Sequence, residues 1–80
     1  MFANDVDQSD RYQQLLRYLE AGWQIDPPVF VRPTWYTRAE QAETYHFVLK
    51  ADDKCMLLSV PQSGAVERFV RDQRLRVNRL

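Results

Sequence analysis

Between Tyr45 and Val60 apolar and less apolar positions alternate. Tyr45, Phe47 and Leu49 are spaced by His46 and Val48, and Met56, Leu58 and Val60 by Leu57 and Ser59. A period of two sends successive side chains to opposite faces of a strand. The acidic pair Asp52-Asp53 separates the two runs, which predicts a β-hairpin. Turning at that pair sets Leu49 opposite Met56, Phe47 opposite Leu58 and Tyr45 opposite Val60, so every bulky pair shares one face. A slip of one residue sets Phe47 against Leu57 and Tyr45 against Ser59 and breaks that face, so the first register is expected. The turn holds no glycine, but aspartate tolerates left-handed backbone.

Nearer the start the spacing changes to three and four. Tyr12, Leu15, Leu16 and Leu19 form the stripe of an amphipathic helix over residues 10–21. Ser9 or Asp10 is placed to cap it, with Gln13 completing a capping box. Gly22 suits the left-handed position after the last turn, and Trp23 is expected to fold back on Tyr18. Residues 1–8 are small, polar and acidic, the composition of a flexible tail.

Asp26-Pro27-Pro28 predicts a rigid extended connector. From Val29 to Tyr36 the alternation returns, and Pro33, which has no N–H for a ladder, assigns this strand to a sheet edge. Thr37 to Glu43 is a polar loop. Pairing Tyr36 with Thr44 sets Trp35 beside Tyr45, Pro33 beside Phe47 and Val31 beside Leu49, which extends the hairpin into an antiparallel meander. Pro61 stops the third strand. Ser63 caps a second helix whose inner stripe is Val66, Phe69 and Val70, with Glu67 near its start and Arg71 and Arg74 near its end, as the helix dipole favours. Arg74 to Val77 alternates again, as a short strand or extended tail would. The expected fold is α+β in the order α-β-β-β-α, a two-layer sandwich of a three-stranded antiparallel meander with both helices on one face.

Eighty residues make one domain, 1–80. A chain of this length buries roughly 60–65% of its unfolded surface, enough for one core but not for a deep cleft. The formal net charge is zero, which removes any global pull toward nucleic acid or an anionic membrane. The charge is nonetheless uneven. Residues 1–30 hold five acids against two arginines, and residues 66–80 hold five arginines against two acids. Mutual attraction of the two ends is the expected consequence. Cys55 is the only cysteine, so no internal disulfide forms. No run of roughly 18 apolar residues and no leader pattern is visible, so a cytoplasmic chain without membrane contact is expected.

His46 and Cys55 invite a nucleophile–base reading. The hairpin sets His46 opposite Ser59, and Cys55 lies four residues from Ser59, about 13 Å along a strand. Proton transfer needs about 3 Å. His46 and Ser59 are the better-placed pair, but no carboxylate is in view to orient the imidazole. No metal, cofactor or catalytic site is therefore assigned, and a non-enzymatic chain is expected.

The sheet face turned away from the helices is the candidate for contact. It carries Phe30, Arg32, Thr34 and Tyr36 from one strand, His46, Val48 and Lys50 from the next, and Cys55, Leu57 and Ser59 from the third. Phe30, Tyr36, Val48 and Leu57 make an apolar centre of the kind that marks partner sites. The expected function is a small protein-interaction domain, a homo-oligomer or one docking another protein through Phe30, Arg32, Tyr36, His46, Val48, Lys50 and Leu57. Nucleic acid is the second partner class, with aromatics stacking on bases while Arg32 and Lys50 meet phosphates.

The order helix, three strands, helix resembles the double-stranded-RNA-binding domain over roughly residues 10–73, in topology. Where that family places a Gly-Pro-x-His loop this chain has Thr37-Arg38-Ala39-Glu40-Gln41-Ala42-Glu43. Where it has a lysine-rich helix start this chain has Ser63-Gly64-Ala65-Val66-Glu67. The phosphate contacts of the family therefore do not carry over to these positions.

Overall fold

The computed structural model describes residues 4–34 and 42–80, with side chains for 11–33 and 43–80. Helix α1 spans Asn4–Glu20, followed by strands β1 (Gln24–Ile25), β2 (Val29–Thr34), β3 (Ala42–Ala51) and β4 (Lys54–Pro61). Helix α2 (Gly64–Asp72) and strand β5 (Val77–Arg79) complete the fold. Helix α1 starts earlier than its stripe suggests. Ser9 and Asp10 lie inside it rather than capping it, and Asn4 to Gln8, expected as tail, are helical. Its end is as expected. Gly22 has φ 107°, the Gly22 and Trp23 N–H groups donate to the Leu19 and Tyr18 carbonyls at 3.1 and 3.0 Å, and Trp23 meets Tyr18 edge-on at 5.7 Å.

The sheet is larger than a meander. Strand β3 is its centre, with β4 antiparallel along one side and β1 and β2 end to end along the other. Strand β5 pairs in parallel with the outer side of β2, making a mixed five-stranded sheet. The three antiparallel strands of the expected meander are present as β2, β3 and β4, but they are only part of the sheet. The Asp52-Asp53 turn and the whole β3–β4 register are as derived, with Leu49 opposite Met56, Phe47 opposite Leu58 and Tyr45 opposite Val60. Asp52 takes the left-handed backbone, φ 56°.

The β2–β3 register differs. Val31 lies opposite Tyr45, not Leu49, and Pro33 lies opposite Glu43, not Phe47. The place beside Leu49 is taken by Ile25 of β1. The slide is an even number of residues, so every side chain keeps its face and alternation alone gives no warning of it. The expected pairs involving Trp35 and Tyr36 lie outside the described residues.

Strand β2 is paired on both sides, by β3 and β5, and is not the edge strand expected from Pro33, which this position nonetheless accommodates. Val29 N–H donates to the Arg76 carbonyl and the Val31 carbonyl accepts from Leu80 N–H, so odd positions of β2 turn toward β5. Pro33 continues that parity one step beyond Val31, where the β5 pairing ends. Its missing N–H therefore costs no ladder bond.

One face of the sheet holds the core. Val29, Val31, Tyr45, Phe47, Leu49, Leu58 and Val60 share a buried cluster with Leu15 of α1 and Val66 and Val70 of α2. Ser63 caps α2, its Oγ accepting from Val66 N–H at 3.2 Å. Phe69 reaches Phe47 and Tyr12 edge-on, at 6.3 and 6.1 Å. Helix α2 ends in a left-handed residue that is not glycine. Arg74 has φ 55°, with its N–H on the Arg71 carbonyl and Leu75 N–H on the Val70 carbonyl. Arg74→Gly removes that backbone penalty and is expected to stabilise the fold by up to about 1 kcal/mol. The check is a higher denaturant midpoint at unchanged slope. A lower midpoint would show that the arginine side chain contributes more than its backbone costs.

Candidate interaction face

Neither α1 nor α2 packs on the face opposite the core, because Leu15, Val66 and Val70 all join the buried cluster on the other side. The alternation that buries Tyr45, Phe47 and Leu49 sends His46, Val48 and Lys50 here. Two cross-strand rows form its middle. Ser59, His46 and Phe30 lie side by side across β4, β3 and β2, and Val48 lies beside Leu57. Phe30, His46 and Val48 are half-buried, whereas Leu57 is 60% exposed. A leucine that open, next to a half-buried valine and on the margin strand, is the most accessible large apolar side chain of the face among the described residues. Arg32 and Lys50 are exposed. Tyr36 lies outside the described residues, as does the side chain of Thr34.

The shifted β2 register separates the two cations assigned to phosphates. Arg32 is opposite Thr44, whereas Lys50 sits six positions further along β3, about 20 Å away. Lys50 Nζ is also 3.6 Å from Asp26 Oδ2. An exposed pair of this kind adds little stability, but it places a carboxylate next to the cation.

His46 Nδ1 and Ser59 Oγ are 2.7 Å apart, the contact that the hairpin register implies. Burial pushes the imidazole below its ordinary range, and the Arg32 cation pushes it further the same way. A catalytic triad places a carboxylate beside the imidazole, and here a guanidinium acts on it. The pair works as a cross-strand hydrogen bond, and burial together with the Arg32 charge favours neutral histidine in it. Its sign with pH follows. The unfolded chain takes up the proton first, near pH 6.5, so stability is lost as pH falls through that value toward the lower folded one. His46→Gln should lack this part of the acid sensitivity. Equal pH slopes for parent and variant between pH 5 and 7 would contradict it.

Cys55 is exposed and lies opposite Lys50, far along β4 from the His46–Ser59 row. Among the described residues no three His, Cys, Asp or Glu side chains gather as a metal site requires. Among the described residues no helix is long and apolar enough to cross a membrane.

A second feature was hidden from sequence reasoning. The crossover from α2 to β5 brings Arg71, Arg74 and Arg79 around an open groove of about 860 Å3 that also borders Tyr45 and Glu43. Arg79 Nη1 is 2.6 Å from Glu43 Oε2. The attraction expected between the chain's two ends is thus not what holds Arg79, whose partner is on β3. The side chains of Asp5, Asp7 and Asp10 lie outside those described. The only sequence signal was the alternation from Arg74 to Val77, which marks a strand but not its partner.

Comparison with family models, with curated proteins and with solved structures finds no match.

Proposed function

We propose that this chain is a small non-enzymatic interaction domain that associates with a second copy of itself through the uncovered sheet face. The observation that carries the reading is the exposure of Leu57, 60%, beside Val48 on a face from which both helices are absent. Apolar surface of this kind is stabilised when a partner removes it from water, by about 25 cal/mol per Å2. The His46–Ser59 bond and the half-buried Phe30 give the patch a fixed floor, so little order has to be gained on docking. The cytoplasm is the compartment proposed with this reading. Sedimentation of the parent chain over a concentration series tests it: a mass that rises with concentration supports self-association, and one that stays at the monomer value removes it.

A further inference from the structure

Strand β4 forms one margin of the sheet, bonded to β3 on its inner side. Along a strand, alternate residues turn their N–H and C=O to opposite sides. The pair Ala51 and Lys54 closes the two-residue turn, which makes the even positions of β4 the ones that bond β3. Gln62 N–H on the Glu43 carbonyl continues that parity. The opposite parity is marked by Ser59, whose carbonyl accepts from Arg11 Nη1 of α1 at 3.0 Å. Cys55, Leu57 and Ser59 therefore turn their backbone groups outward. Pro61, the next odd position, has no N–H to offer.

We propose that a second copy of this chain lays its β4 antiparallel against this margin, with the two Leu57 residues facing each other across a two-fold axis. The inference rests on the self-association reading but places the contact edge to edge at the β4 margin of that face, beside Leu57, rather than over the face. The register is self-complementary. Leu57 meets Leu57 of the second copy, and Cys55 meets Ser59 in both directions, each outward-turned pair exchanging two backbone bonds. A carbonyl oxygen has two acceptor sites, so Ser59 keeps its bond to Arg11 while accepting from the second copy. Pro61 falls opposite Asp53 of the second copy, so the missing N–H lies at the end of the new ladder.

Charge also favours a second copy as the occupant. Asp53 of one chain comes to rest two positions, roughly 7 Å, along from the Ser59 that holds Arg11 of the other. The Asp52-Asp53 turn thus approaches Arg11 at both ends of the interface. On the uncovered face the two Leu57 side chains become neighbours, extending the row from Val48 into one apolar strip across both copies.

Cys55→Pro separates this geometry from any other dimer. It removes an N–H that β3 does not use and leaves the Leu57 side chain in place. The variant should keep a native circular dichroism spectrum, and the dimer dissociation constant should rise about tenfold or more, since two symmetry-related bonds are lost. The second readout needs no variant. Hydrogen exchange at the Leu57 and Cys55 amides of the parent should be fast in dilute solution and at least about tenfold slower where the mass is dimeric. A dimer whose Leu57 amide stays unprotected, or one that a folded Cys55→Pro chain forms as tightly as the parent, overturns the β4 pairing and leaves self-association standing. A parent chain that is monomeric throughout overturns both.

Discussion

Phe47→Ala is expected to leave the chain marginally folded or unfolded. Phe47 is fully buried at the centre of β3, stacked on Tyr45 at 6.5 Å and edge-on to Phe69 of α2 at 6.3 Å. Truncating such a ring costs about 3–5 kcal/mol, part lost transfer energy and part the cavity left behind. A domain of this size has roughly 4–12 kcal/mol in total. One side chain therefore accounts for a large share of the margin, because it touches both layers at once. Chemical denaturation followed by far-ultraviolet circular dichroism measures it. A midpoint within error of the parent's would mean that Phe47 does not join sheet to helix as described.

Leu57→Asp is expected to give a folded monomer. The side chain is 60% exposed and faces away from both helices, so the core is untouched. In a self-associated state Leu57 is covered, and losing it removes about 1.5–3 kcal/mol. A carboxylate buried without a partner adds a further penalty. Every 1.4 kcal/mol is tenfold in affinity, so the dissociation constant should rise by roughly tenfold to more than a hundredfold. Native circular dichroism together with a monomer mass is the expected pair of results. Loss of secondary structure would instead show that Leu57 contributes to the fold of the single chain.

The β3–β4 hairpin was fully legible because its two strands carry the same period and a two-residue turn leaves no freedom between them. The cap of α2 by Ser63 and the end of α1 at Gly22 were legible for a related reason, since each is set within four or five residues of its partner. The β2 register was not. Its connection to β3 crosses residues 35–41, and a slide from Leu49 to Tyr45 opposite Val31 preserves the face of every side chain. The two-residue strand β1 was too short to show a period, although it is Ile25 that takes the place beside Leu49. The parallel pairing of β5 with β2 joins segments nearly fifty positions apart, and nothing local to either one specifies the other. The N-terminal extension of α1 escaped notice because Asn4 to Gln8 lack the apolar spacing by which a helix is recognised.

The candidate face followed the same division. That Phe30, His46, Val48 and Leu57 share a side follows from parity, which the β2 slide left intact. Which of them adjoin depended on the register, so Phe30 lies beside His46 and the cations Arg32 and Lys50 lie far apart. The contact between His46 and Ser59 was fixed by the hairpin alone. The groove flanked by Arg71, Arg74 and Arg79 depended on β5 and was out of reach.

Self-association through the uncovered face is tested most directly by the mass of the parent chain in solution. Sedimentation equilibrium from low to high micromolar concentration should show the mass climbing from 9.5 kDa toward twice that value. A mass of 9.5 kDa at every concentration would contradict self-association and leave the face around Leu57 as solvated surface.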